Sequence, residues 1–248
     1  MHSDTISRAL LETDTHTHTI ASTHAFSTIL ELAQYAAKRG IKGIAVTDHG
    51  PAIPDGAHEW HFGSMRTLPP YIEGVRVLHG VEANIMDYEG TLDICERYQK
   101  ELDWVIASYH DPCCRPGAVE QHTASYLKVA ENPYVDVIGH SGTESYRYDY
   151  EKVIPVFKAR GKLVEINSHS FSSRKGAKEN CREIALLCKK YEAPIVVNSD
   201  AHSCFVLGDL KEALSMLEEI RFPKELIVNR TLESLAGWIY QKRGREIL

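Results

Sequence analysis

The chain has 248 residues and a formal net charge of −6, from 28 Lys+Arg against 34 Asp+Glu. That balance opposes tight, sequence-independent binding to long nucleic acid, where phosphate neutralisation dominates affinity. The length suits one large α/β domain over residues 1–248. Met1 to Thr13 lacks a basic start followed by a long apolar stretch, and no run of about 18 apolar residues occurs, so a cytoplasmic protein without a membrane partner is expected. The six cysteines show no two-pair metal spacing and no sign of secretion, and are expected to be reduced.

Seven short apolar runs, each ending in a His or acidic residue, mark out the chain. The first spans Glu12 to His18. A helix is predicted from Thr28 to Arg39 after Ser27, with Ile29, Leu32, Ala33 and Ala36 as its apolar stripe and Gly40 as its stop. The second run, Ile44 to His49, leads into Gly50 to Pro70, a proline- and glycine-punctuated loop of the kind that is often functional. Runs three to five are Val77 to Glu82, Trp104 to His110 and Val135 to His140. Leu163 to His169 is the sixth. Cys181, Ile184, Ala185 and Cys188 then recur at helical spacing and read as core. The seventh run, Ile195 to His202, precedes two more helical patterns, Leu207 to Ile220 and Leu232 to Lys242.

Apolar runs alternating with helical segments are the signature of βα units and a parallel sheet. In such folds functional groups gather at the strand C-termini. For a ligand at the end of nearly every strand to share one site, those ends must converge, which a closed barrel achieves and an open doubly wound sheet does poorly. The expected fold is a distorted (β/α)7 TIM-like barrel with a metal site at the C-terminal ends of its strands.

His16-Thr17-His18 and Asp200-Ala201-His202 are i, i+2 pairs that share one face of an extended strand. In Asp48-His49 the neighbouring side chains diverge, which gives His49 to a metal and Asp48 an orienting or proton-handling role. His16, His18, His24, His49, Glu82, His110, His140, Asp200 and His202 make nine candidate ligands, too many for one tetrahedral ion and enough for two or three with shared carboxylates. Imidazoles suit zinc, and mixed His and carboxylate sets also accept manganese or iron. Arg174 and Lys175, in the loop after the sixth run, are candidates for binding an anionic substrate, because Arg grips phosphate bidentately where Lys acts as a point charge. His61, in the Gly50 to Pro70 loop, is a third candidate for substrate contact. Cys113-Cys114, beside His110, is a minor alternative as a thiolate ligand, and His169 is expected to support the site rather than coordinate.

Six motifs stand in order: Asp14-Thr15-His16-Thr17-His18-Thr19 with Ala21-Ser22-Thr23-His24, Thr47-Asp48-His49-Gly50-Pro51, Gly80-Val81-Glu82-Ala83-Asn84-Ile85, His110-Asp111-Pro112, Ser172-Ser173-Arg174-Lys175-Gly176 with Glu179-Asn180-Cys181-Arg182-Glu183, and Ser199-Asp200-Ala201-His202. Over nearly its whole length the chain resembles the PHP (polymerase and histidinol phosphatase) superfamily, and within it the small stand-alone YcdX-like bacterial phosphatases. The resemblance implies three divalent metal ions: one on His16, His18, Glu82 and Asp200, a second bridged by Glu82 to His110 and His140, and a third on His24, His49 and His202. It implies hydrolysis of a small metabolite's phosphate monoester by a metal-activated hydroxide, with Asp48, Glu82 and Asp200 as the catalytic carboxylates. A nuclease or phosphodiesterase trimming single-stranded ends, or a non-catalytic metal- or partner-binding module, are the alternatives. A symmetric homo-oligomer is the default assembly.

Overall fold

The computed structural model describes residues 11–248, so most of the Met1 to Thr13 stretch read for a leader lies outside the described residues. The strands are β1 (Thr13–Thr17), β2 (Gly43–Val46), β3 (Tyr71–Ile72), β4 (Val75–Asn84), β5 (Trp104–Ser108), β6 (Val137–Ile138), β7 (Leu163–Asn167) and β8 (Ile195–Asn198). The helices are α1 (Ile29–Arg39), α2 (Glu59–Ser64), α3 (Glu96–Glu101), α4 (Val119–Glu131), α5 (Tyr150–Ala159), α6 (Ser170–Ser173), α7 (Ala177–Tyr191), α8 (Lys211–Glu219) and α9 (Leu232–Arg243). Seven strands pair in parallel in the order β1-β2-β4-β5-β6-β7-β8, while β3 folds back antiparallel on the start of β4. These seven are the seven apolar runs, and they form a nearly closed, distorted barrel.

Pleat alternation sorts the strand residues into two packing layers. Ile44, Val77, Val105, Val164 and Val197 join the layer under the helices, while Ala45, Leu78, Trp104, Ile106, Val137, Leu163 and Val196 fill the barrel interior. Counting in twos up from the inner layer reaches Glu82 on β4, His110 beyond β5, Glu165 on β7 and Asp200 beyond β8. The floor of the barrel is sealed by α9, whose Leu235 and Ile239 pack into the inner layer and whose Trp238 meets Trp104 edge-on at 5.6 Å between ring centroids.

The seam between β1 and β8 is closed largely by side chains. Near the top, Thr17 bridges to Ala201 and the His18 N–H donates to the Ala201 carbonyl at 2.9 Å. Below, the fully buried Asn229 amide takes the place of a strand backbone: its Oδ1 accepts the Val197 N–H at 3.0 Å, and its Nδ2 donates to the carbonyls of Val197 at 2.7 Å and Thr13 at 3.2 Å. Buried backbone groups need such partners. Charged groups tie the floor together. Arg243 donates to both oxygens of buried Asp136 and to the carbonyls of Gln99, Leu102 and Tyr134. Lys162, 1% exposed, donates to the carbonyls of Val135 and Asn132, and burial, reinforced by the Lys242 charge, pushes its amine down to about 7.

Three local expectations shift. The cap of α1 is Thr28, which forms a capping box with Glu31, whereas the Ser27 hydroxyl accepts the Cys204 N–H at 2.8 Å. The Gly50 to Pro70 stretch is not wholly irregular: α2 forms within it because Phe62 and Met65 are buried. The helical pattern at Leu207 starts only at Lys211, since Gly208 is left-handed with φ 69.

Candidate metal centre

All nine candidate ligands gather at one end of the barrel. Glu82 is fully buried at the centre, and its two oxygens face different imidazoles. Oε2 lies 3.4 Å from His16 Nε2, 3.6 Å from His18 Nε2 and 2.8 Å from His49 Nδ1, while Oε1 lies 3.5 Å from His110 Nε2 and 3.1 Å from His140 Nε2. Asp200 approaches His18 at 3.1 Å, His16 at 3.5 Å and His140 at 3.6 Å. Sets of donor atoms lying within 4.8 Å of one another are His16, His18 and Asp200; His49, Glu82 and His110; His18, His49 and His202; and His16, His140 and Glu165. His24 enters none of these sets. Its ring stacks on His202 at 4.4 Å and its Nδ1 contacts Asp55.

Backbone geometry explains two of these placements. His140 has the parity of outward-facing Ile138, so a continuing pleat would carry it to the helix side. A left-handed backbone at His140 (φ 48) breaks the alternation, and Asp200 is also left-handed (φ 55). Non-glycine residues in this region are uncommon and gather where the surrounding structure enforces them. The Asp200 to His202 pair therefore meets the site through a turn past the end of β8, not along an extended strand as its i, i+2 spacing suggests.

Residues 14–169 match the PHP domain family. A protein from Acetivibrio thermocellus described as a probable phosphatase is 47% identical over 232 residues, covering 94% of this chain and 96% of its own length. Another probable phosphatase, from Caldanaerobacter subterraneus subsp. tengcongensis, is 47% identical over 234 residues, covering 94% and 92%. The chain belongs to the PHP domain family. Among solved structures, the PHP barrel here resembles histidinol phosphate phosphatase from Lactococcus lactis, complexed with zinc, L-histidinol and phosphate. The TM-score is 0.57 at 13% identity, covering 86% of this chain and 95% of that one. A probable 2-pyrone-4,6-dicarboxylic acid hydrolase from Acinetobacter baumannii, with citric acid bound, shares the fold at TM-score 0.55 and 12% identity, over 92% and 98% of the two chains.

The donor set of this PHP centre fits divalent cations. His16 Nε2, His18 Nε2, His49 Nδ1, both Glu82 oxygens, His110 Nε2, Asp200 Oδ1 and His202 Nε2 are buried without a hydrogen-bond partner among the described residues. Orphaned polar atoms in such number are costly unless something else satisfies them. Protonation agrees. Burial favours the neutral carboxyl of Glu82 and Asp200, but the surrounding imidazoles, His16 first, outweigh it and hold both well below the usual carboxylate range. Burial, with the neighbouring His49, drives His18 and His110 down to about 3, leaving their imidazoles neutral, as ligation requires. His16 is raised well above its ordinary value, because Glu165, Glu82 and Asp200 together outweigh its burial, and His49 is raised too, with Glu82 outweighing its burial, so both rings would give up a proton on ligation.

The ring nitrogens turned away from the centre are held in place. Nδ1 of His16 meets Glu165 at 2.7 Å, that of His110 meets Asn84 Oδ1 at 2.7 Å, that of His140 meets Ser170 Oγ at 3.0 Å, and that of His202 meets the Asp200 carbonyl at 2.9 Å. Such partners fix the tautomer and aim of a ligating ring. Glu165, Asn84 and Ser170 were not anticipated from sequence. The available signal was parity: Glu165 sits one pleat above inward-facing Leu163, and Asn84 one pleat above Glu82.

The remaining candidates separate. Asp48 is fully buried, accepting hydrogen bonds from the Thr19 N–H and hydroxyl, from the Ser22 hydroxyl and from His61 Nε2 at 3.2 Å. It thereby organises the loop whose Ser22 Oγ accepts the His49 N–H at 3.0 Å. His61 is engaged on Asp48 and does not line the cleft. That cleft, about 580 Å³, is lined by His24, His49, Ile53, His110, His140, His169, Ser173, Arg174, Asp200 and His202. Arg174 is half-buried at its edge, 3.5 Å from Thr143 Oγ1, whereas Lys175 is exposed and outside it. All six cysteines are free, and burial pushes the Cys113 thiol up to about 11, away from the thiolate a metal needs.

Proposed function

We propose that this PHP-domain protein is a metal-dependent phosphatase that hydrolyses the phosphate monoester of a small metabolite at a trinuclear centre. The observation that carries the reading is the convergence of nine candidate ligands, eight of their atoms buried and unpaired, on a cleft edged by one arginine. His16, His18, Glu82 and Asp200 would hold one ion, Glu82 with His110 and His140 a second, and His24, His49 and His202 a third. The imidazole-rich donors favour zinc, with manganese or iron as substitutes. Bound cations supply Lewis acidity toward water and toward the phosphoryl oxygens.

The protein's own part is placement. The opposed Glu82 oxygens tie the two inner ligand groups to one carboxylate. Arg174, which lines the cleft, would pair its guanidinium with phosphoryl oxygens of the substrate. The cleft is lined mainly by imidazoles with a single arginine, and the net charge of −6 opposes binding of a long polyanion, which favours a small substrate over nucleic acid.

The test is phosphate release by the purified, metal-replete protein from a panel of monoesters that includes a chromogenic aryl phosphate. Turnover abolished by Asp200→Ala and by His18→Ala is expected. No release from any monoester would remove the reading, and faster metal-dependent shortening of labelled oligonucleotides would reassign the centre to diesters.

A further inference from the structure

Glu165 lies buried in β7, and its two oxygens hold different parts of the centre. Oε1 meets His16 Nδ1 at 2.7 Å and accepts from Asn198 Nδ2 at 2.9 Å. Oε2 accepts the backbone N–H of His140 at 2.9 Å and Asn167 Nδ2 at 3.3 Å. Four donors from β1, β7, the end of β6 and the end of β8 thus converge on one carboxylate, which accepts at about four lone-pair sites and donates at none.

We propose that Glu165 is a positioning residue that sets the tautomer of His16 and the left-handed turn at His140, and so presents ligands from two metal subsites at once. Facing an acceptor-only carboxylate, His16 Nδ1 carries the hydrogen. Nε2 is then the ring nitrogen left to ligate a cation shared with Glu82 and Asp200, whose oxygens lie 3.4 and 3.5 Å away. The same carboxylate fastens His140, a candidate ligand whose pleat parity would otherwise turn it out of the barrel. This rests on the metal-centre reading above.

Glutamine at this position has the right size and the wrong hydrogen-bonding pattern. If its amide nitrogen faced His16, Nδ1 would have to accept, the ring hydrogen would move to Nε2, and the ligand atom would be blocked. If the nitrogen faced His140 instead, it would meet a backbone N–H, donor against donor.

The experiment compares wild type and Glu165→Gln by zinc competition against a chromophoric chelator, with thermal melts of both apoproteins alongside. Zinc binding weaker by about 10- to 100-fold in at least one step is expected, as for other partners of ligating residues. Unchanged affinity in every step, whatever the melts show, overturns the proposal. Nitrogen-resolved NMR of the His16 ring in zinc-loaded wild type needs no variant to fold: hydrogen on Nδ1 is expected, and hydrogen on Nε2 overturns it. Wild type that binds no zinc at micromolar concentration would sink the metal-centre reading itself, a result distinct from wild-type-like binding by the variant.

Discussion

Asn229→Ala tests whether one amide closes the barrel. Removing it strips partners from the Val197 N–H, the Val197 carbonyl and the Thr13 carbonyl, all at a fully buried position. A buried polar group left unpaired costs about 1–3 kcal/mol, so the gross loss is about 3–9 kcal/mol. Water entering the vacated space recovers part of this, since carbonyls tolerate loss better than an N–H. We expect a net destabilisation of about 3–5 kcal/mol, a large share of the roughly 5–15 kcal/mol that holds a typical protein folded. For a chain this long it corresponds to a fall in Tm of about 6–20 °C. Urea titration and calorimetry measure it. Asn229→Asp separates lost shape from lost pairing, because it keeps the acceptor for Val197 but turns a carboxylate toward two carbonyls, and it should do at least as much damage. A loss below about 1 kcal/mol for Asn229→Ala would refute the argument, showing that β1 and β8 are held by the Thr17 to Ala201 bridge and its neighbours.

At the barrel floor, Arg243→Met leaves Asp136 buried with Lys242 at 3.4 Å as its remaining ion partner, and should destabilise by about 3–5 kcal/mol. Arg243→Lys should recover little, because an ammonium cannot span the same acceptors; full recovery in a urea titration would contradict this. Lys162 gives a pH test. Its amine is lowered from 10.5 to about 7, so across that window the unfolded chain binds a proton that the folded chain does not. Stability contributed at this position therefore rises with pH. The stability of wild type minus that of Lys162→Met should increase from pH 7 to about pH 10, and a flat difference would show that the amine stays charged when folded. In the cleft, Arg174→Ala should weaken inhibition by inorganic phosphate and raise KM by about 10- to 100-fold, from one lost charge-assisted contact. Lys175→Ala, exposed and outside the cleft, should leave both within about twofold; equal effects of the two changes would remove Arg174 from substrate binding.

Strand number and direction were legible because each strand announces itself twice, by an apolar run and by the polar residue that ends it. The convergence of the candidate ligands other than His24 was legible for the same reason: an imidazole or carboxylate at the end of an apolar run has few structural uses, and eight of them suggest a shared one. What escaped was polar residues inside the runs. Glu165 and Asn84 occupy strands as ordinary alternating positions, and nothing local distinguishes a carboxylate that faces water from one that faces four donors, three of them on other segments. Asn229 is harder still, lying in a short 3-10 turn whose sequence carries no strand signal although its amide does the work of a strand backbone. The substrate-binding candidates divided for a related reason. Arg174 and Lys175 are adjacent and chemically alike in sequence, and only the extended backbone of Arg174 at the end of α6, followed by left-handed Gly176, decides which of the two cations the cleft receives.

These omissions share a physical cause that bears on how the centre is built. A strand end can deliver a ligand to the right neighbourhood, but metal affinity depends on tautomer and aim, and those are set by groups distant in sequence: 149 positions separate His16 from Glu165 and 26 separate Asn84 from His110. Such groups come from different levels of the fold: Glu165 lies in the barrel interior, Asn84 one pleat beyond Glu82, and Ser170 past the end of β7. The inner layer changes character along the barrel axis, from Leu78, Trp104 and Leu163 near the floor to Asn84, Glu165 and Asn198 toward the strand C-termini. Replacing Glu165 and Asn84 by apolar residues of similar volume would keep the core filled and leave the ring nitrogens of His16 and His110 without the partners that orient them. Glu165 and Asn84 are thus accounted for by the candidate centre they face, whereas Asn198 also accepts the Thr15 N–H at 2.9 Å across the β1–β8 seam and so helps close the barrel.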